Sequence, residues 1–247
     1  MTNDIRRTLI FCLAPALSLA ACGRSLPFPG LTPDEVFAVG LAEREQENWS
    51  QAAEAFDFAL FSPAFNRASE ARLLLADAQF EQELYIESRS QYVRVIERWP
   101  ADTVAVWAAL GVCRSLASLS PITERDQTFT KQARLSCRQV AADFAGLVIG
   151  LTASQLADEM NLKLAEQDYQ TGRHYLKRKL WDSALVYLEG VWTEYPETEW
   201  APWALYQMIV AFGEIGYQSD VETTRDVLLE DYADSEPAQL LLADGNP

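Results

Sequence analysis

Between residue 34 and about residue 232, apolar side chains recur at three- and four-residue spacing with charged residues between them. That spacing is the mark of amphipathic helices. Alanine, leucine, glutamate, glutamine and arginine dominate, and no stretch alternates with the period of two that a half-buried strand requires. Thr32, Pro33 and Asp34 form a helix start: proline is tolerated in the first turn, and hydroxyl and acidic side chains suit it. The helical pattern is broken by a recurring mark. Trp99-Pro100-Ala101-Asp102-Thr103 returns, one residue shorter, as Tyr195-Pro196-Glu197-Thr198, and again with alanine for proline as Tyr232-Ala233-Asp234-Ser235. Ile149-Gly150-Leu151-Thr152 reads as a degenerate copy. The aromatic closes one helix against the core, proline stops it, and the acid or hydroxyl caps the next. Marks at spacings of roughly 35 to 50 residues predict a solenoid of helix pairs, where periodicity alone would fit any helical bundle.

Small and large residues fall at matching places within the units. Residues 165–196 carry Gly172, Tyr175, Ala184, Leu188, Val191 and Pro196. Residues 33–64 carry Gly40, Ala52, Phe56 and Ala59, and residues 69–100 carry Leu75, Ala76, Tyr92, Val95 and Pro100. Residues 104–150 carry Trp107, Leu110 and Gly111, then an insertion before their second helix, and residues 202–233 are a weaker copy with Leu205, Phe212 and Leu228. Small residues let two helices approach where large ones fill the space between them. The pattern resembles tetratricopeptide repeats. The expected fold is therefore all-α, a tetratricopeptide-like solenoid of about five repeats over residues 34–233, followed by a C-terminal tail at 234–247.

Ahead of the solenoid, Leu19-Ala20-Ala21-Cys22 resembles a bacterial lipobox. Arg6 and Arg7 supply a positive start and Thr8 to Leu19 an apolar stretch, which is shorter than the ~20 residues that span a bilayer. Residues 1–21 read as a cleaved signal peptide, with Cys22 as the lipidated first residue of the mature chain. Arg6-Arg7 also weakly resembles a twin-arginine signal, but nothing later in the chain calls for a cofactor loaded before export. About three acyl chains would anchor the protein firmly, since two already suffice. Gly23 stands where, in lipoproteins of this kind, an aspartate would hold the protein at the inner membrane, which implies the outer membrane. Residues 22–33 hold Pro27, Pro29, Pro33, Gly23 and Gly30 and read as a short tether, at most ~35–40 Å long when extended.

Removing residues 1–21 takes away Arg6, Arg7 and Asp4, leaving 18 basic and 35 acidic side chains and a balance of about −17. Such a chain is not suited to nucleic acid or to an anionic bilayer surface. Of the four cysteines, Cys113 and Cys137 remain after export and acylation. An oxidising compartment permits a disulfide between them, and two buried thiols are the alternative. The sequence offers no catalytic constellation. His174 is the single histidine, so a zinc site or a Ser-His-Asp triad would need unusual partners, and no phosphate-binding or nucleophile motif is present. No enzyme activity, metal or cofactor is expected.

Function is expected to lie in surface. A helix-pair array forms a groove lined by the first helix of each pair. In the tetratricopeptide register Phe37, Leu41 and Arg44 of the first unit, with Leu73, Asp77 and Phe80 of the second, should face it. Aromatic and aliphatic side chains with a few charges suit an extended peptide or a partner helix. Trp200, Trp203 and Tyr206 form a second aromatic cluster that would anchor an interface if exposed.

Several stretches in order sharpen this. Asn48-Trp49-Ser50-Gln51-Ala52, Glu124-Arg125-Asp126-Gln127-Thr128 followed by Ala133 and Phe144, Tyr175-Leu176-Lys177-Arg178-Lys179-Leu180-Trp181 with Ala184, and Tyr195-Pro196-Glu197-Thr198 together resemble the BamD-type, or ComL-like, outer-membrane assembly lipoproteins. The resemblance spans about residues 34–232. It departs at Phe61-Ser62-Pro63-Ala64, at Ile149-Gly150-Leu151-Thr152 and in the strong acidity. It implies a non-enzymatic scaffold and receptor of the β-barrel assembly machinery on the periplasmic face of the outer membrane. Its partners would be a BamA-type insertase, accessory lipoproteins and unfolded outer-membrane protein segments. Residues 34–100 would face substrate, and residues 165–233, with Trp200, Trp203 and Tyr206, would face the complex. The alternatives are another tetratricopeptide envelope lipoprotein, such as a secretin pilotin or a peptidoglycan-synthesis coordinator, and an enzyme or activator acting on peptidoglycan.

Overall fold

The computed structural model describes residues 27–243. The expected signal peptide, Cys22 and most of the tether lie outside the described residues. Among the described residues, those before Thr32 form one unit, in which Leu31 turns back to donate to the Phe28 carbonyl, and those from Thr32 form another. Among the described residues the second is built of eleven helices: α1 (Pro33–Glu45), α2 (Trp49–Ala59), α3 (Ala68–Glu81), α4 (Tyr85–Arg98), α5 (Val104–Ser118), α6 (Thr128–Asp143), α7 (Val148–Lys177), α8 (Trp181–Glu194), α9 (Trp200–Ile215), α10 (Gln218–Asp231) and α11 (Glu236–Ala243). From α1 to α11 each helix packs on the next, and α3, α5, α7, α9 and α11 also touch in succession. The odd-numbered helices therefore form one layer and the even-numbered helices the other, the two-layered helix-pair array that the repeated marks predict.

Local chemistry sets the boundaries. Thr32 and Glu35 make a reciprocal capping box on α1, with Pro33 at its first position. Asp102 of the first aromatic-proline mark accepts from the Val104 amide at the start of α5, and from the Ser69 hydroxyl at the start of α3. One carboxylate thus caps one repeat and ties it to its predecessor. The later marks are joined as well: the Tyr232 hydroxyl donates to the Pro196 carbonyl. The turns inside repeats share a left-handed residue, at Glu47, Glu83, Lys179 and Gly216, and only the last is the glycine that this conformation favours. Trp49, Tyr85 and Trp181 each begin the helix that follows.

Packing within pairs follows the small-to-large rule. A Cβ on Gly40 would lie 2.6 Å from the Phe56 ring, and one on Gly172 would lie 2.8 Å from Leu188. The pairs close because one partner has no side chain. Cys113 on α5 and Cys137 on α6 are joined by a disulfide whose Cα atoms lie 4.9 Å apart.

Three expectations need correction. Ile149-Gly150-Leu151-Thr152 is not a turn but the beginning of the 30-residue α7. The chain turns earlier, at Gly146 with φ +81°. Gly150 serves contact instead, since a Cβ there would lie 2.2 Å from the Phe144 carbonyl oxygen. Residues 234–247 are not all tail: α11 buries Ala238 and Leu241 in the C-terminal core against α9, and covers apolar surface that an open array would leave in water. Phe37 does not face a groove. It is 1% exposed, with its ring 5.5 Å from Phe56 and 5.6 Å from Phe65, and the Arg67 guanidinium 4.2 Å above it. Closure over Gly40 draws that face of α1 into the pair, so Phe37 is core.

Candidate peptide-binding groove

Arg44, Leu73, Asp77 and Phe80, expected to share a groove, line one open cavity of about 450 Å³. Leu41 is half-buried outside it. The cavity is completed by residues that were not expected: Trp49 from α2, Glu81 from α3, Tyr92 from α4, and Trp107, Leu110, Gly111 and Arg114 from α5. Trp107 is 55% exposed, an indole presented to a partner. The Arg114 guanidinium lies 4.4 Å over the Phe80 ring, and Tyr85 meets that ring edge-on at 5.1 Å, so Phe80 is held in place rather than loose.

At the cavity floor the Tyr92 hydroxyl donates to Asp77 across 2.6 Å. Burial pushes the Asp77 carboxyl above its ordinary range, against the pull of the Tyr92 hydrogen bond and of Arg44 and Arg114. Burial likewise raises the Tyr92 phenol, with Asp77 adding to it. The cavity thus combines apolar and aromatic walls with two guanidiniums, the exposed Glu81 carboxylate and the half-buried Asp77 carboxylate, a surface for an extended segment with alternate apolar residues and a few polar anchors. It continues past Phe80 and Arg114 into a second cavity of about 370 Å³ bounded by α7, where Met160 and Lys163 reach it. The signal for the missed wall was present: Trp107, Leu110, Gly111 and Arg114 fall at i, i+3, i+4 and i+7, one face of a helix.

In the other half, Trp200, Trp203 and Tyr206 pack as partly buried side chains on the C-terminal core. Trp200 lies 5.0 Å from Tyr169 with its Nε1 buried, and Trp203 meets Tyr206 edge-on at 6.2 Å. Each contributes to the core and leaves only a remaining face for a partner. Burial raises Tyr195 to about 12. His174 is exposed beside Tyr175, and among the described residues no three His, Cys, Asp or Glu side chains gather to hold a metal.

The family YfiO, outer membrane lipoprotein, matches residues 29–228. The chain belongs to the YfiO family. Two relatives carry the name outer membrane protein assembly factor BamD. That of Caulobacter vibrioides is 24% identical over 221 residues, covering 86% of this chain and 72% of its own. That of Rickettsia prowazekii is 24% identical over 197 residues, covering 79% and 78%. Among solved structures, the TPR2AB-domain:pHSP90 complex of yeast Sti1 aligns over 83% of this chain and 80% of its own at 14% identity and a TM-score of 0.41. A thermophilic tetratricopeptide protein of Thermus thermophilus aligns over 86% and 98% at 14% identity and a TM-score of 0.36.

In this YfiO chain the Glu124-Arg125-Asp126-Gln127-Thr128 stretch has a structural role. Asp126 accepts from the Thr128 amide at the start of α6. Gln127 is buried, and its amide donates to the Ile122 and Arg125 carbonyls. The motif locks the insertion between α5 and α6. No helix among the described residues is long and apolar enough to cross a membrane.

Proposed function

We propose that this chain is a non-enzymatic scaffold and receptor for outer-membrane protein assembly. Acylated Cys22 anchors it to the periplasmic face of the outer membrane. The groove over α1–α5 holds an extended segment of an unfolded outer-membrane protein. The repeats from α7 onward dock to a BamA-type insertase and to accessory lipoproteins, with the partly exposed sides of Trp200, Trp203 and Tyr206 as contacts. The observation that carries this reading is the single cavity uniting Arg44, Leu73, Asp77, Phe80, Trp107 and Arg114 from three repeats, in a chain of the YfiO family. The mechanism is binding alone. Confinement to the membrane plane raises the effective concentration of partners, and the preformed groove lowers the ordering cost of capturing an unfolded segment.

The test is recovery of the tagged lipoprotein from its native envelope with its bound proteins identified by mass spectrometry. Stoichiometric recovery of a BamA-type barrel supports the assembly role. Recovery of a secretin or a penicillin-binding protein without any barrel overturns it.

A further inference from the structure

Where α4 packs on α3, three arginines gather around one cavity in a chain whose overall balance is acidic. Arg72 of α3 and Arg94 and Arg98 of α4 line a cavity of about 390 Å³ whose remaining wall is Glu97. Arg72 donates through Nη1 to the Gln91 side chain at 2.6 Å, while its Nε is buried without a hydrogen-bond acceptor. None of the three arginines is in an ion pair among the described residues, although Glu97 is beside them and Asp57 attracts Arg72 from α2. The Arg98 guanidinium is placed 5.5 Å over the Trp99 ring at the end of α4. Burial first, and then Arg94 and Arg98, lower the Arg72 pKa, the response of a cation crowded by like charges.

We propose that Arg72, Arg94 and Arg98 form a binding site for a phosphoryl oxyanion. Three guanidiniums from two helices, one with a buried donor unused, exceed what a single carboxylate can satisfy. They match a tetrahedral oxyanion that offers several acceptor oxygens and a full negative charge. Arg72 supplies the fixed inner donor, and the exposed Arg94 and Arg98 close on the ligand from the rim. The group can belong to a free phosphate or to a phospholipid headgroup, and the recognition chemistry is the same.

The test follows the Arg72 Nε–H resonance in 15N-arginine-labelled, lipidated protein held in phosphatidylcholine nanodiscs. Inorganic pyrophosphate should shift it saturably, and the double variant Arg94→Glu with Arg98→Glu, both exposed and remote from the core, should weaken that binding by at least about tenfold. A shift already present in phosphatidylglycerol nanodiscs, and lost in the double variant, would identify a headgroup as the ligand. Its absence there, with pyrophosphate still binding, would identify a soluble phosphate. No saturable shift with either probe, or the same shift in the double variant, overturns the site.

Discussion

The Tyr92 hydroxyl and the Asp77 carboxylate, 2.6 Å apart, link the core of the second repeat to the floor of the groove. Tyr92 is 1% exposed, packed with Ala76 of its own repeat and against Gly111 of the next. A buried ring thereby holds a groove carboxylate in register.

Replacing Asp77 by asparagine should expose the cost of that burial. The folded carboxyl titrates above its ordinary value, chiefly through burial. The protonated form is therefore favoured by the fold, and its contribution is complete below the unfolded pKa of about 4 and lost as pH rises through the folded value. Asp77→Asn keeps an acceptor for Tyr92 without the charge. It should match wild type in acid and be the more stable at neutral pH, measured by urea unfolding across that range. A less stable variant at neutral pH would mean that Arg44 and Arg114 outweigh burial.

Gly111→Ala should reach the same pair from the neighbouring repeat. The new Cβ would stand 2.5 Å from the Tyr92 ring. The ring must move, at a cost of about 1–3 kcal/mol, and its hydrogen bond to Asp77 should loosen. Thermal unfolding and tyrosine fluorescence report both effects, and unchanged values would refute the contact.

The left-handed turns at Glu47, Glu83 and Lys179 predict stabilising changes. Glycine at each should remove a steric penalty and stabilise by about 0.5–1 kcal/mol per site, after the entropy glycine itself loses. The three sites lie in different turns, so their effects should add in the triple variant. Denaturant midpoints that fall would contradict this.

Phe37 and Phe80 should behave oppositely. Phe37→Ala should cost about 3–5 kcal/mol as a core deletion. Phe80→Asp and Trp107→Ala should leave helicity intact and weaken binding of an extended outer-membrane protein peptide by about tenfold, read by fluorescence titration. Unchanged peptide affinity in both would remove the groove from the binding mechanism.

Reduction of the Cys113–Cys137 disulfide should destabilise the fold by about 3 kcal/mol, the chain-entropy effect expected for a loop of this size. The check is unfolding with and without reductant, with Cys113→Ala/Cys137→Ala as the control that reductant should not shift.

The chain's local pattern determined the helices, the small-large pairs Gly40–Phe56 and Gly172–Leu188, the marks at Trp99-Pro100 and Tyr195-Pro196, and four of the groove residues: Arg44, Leu73, Asp77 and Phe80. These follow from periodicity and from the chemistry of proline and capping side chains, which act over a few residues. Tertiary structure alone decided the rest. Phe37 and Phe80 occupy comparable helical faces, but closure over Gly40 buries one while Arg114 and Tyr85 hold the other at the groove. Gly150 reads as a stop and serves as a close contact with the Phe144 carbonyl. Ala238 and Leu241 read as tail until α9 offers them an apolar surface. Arg72, Arg94 and Arg98 are ordinary helix arginines in sequence, and packing of α3 on α4 brings them to one cavity. Helical propensity is local, whereas burial depends on what the neighbouring helix lacks.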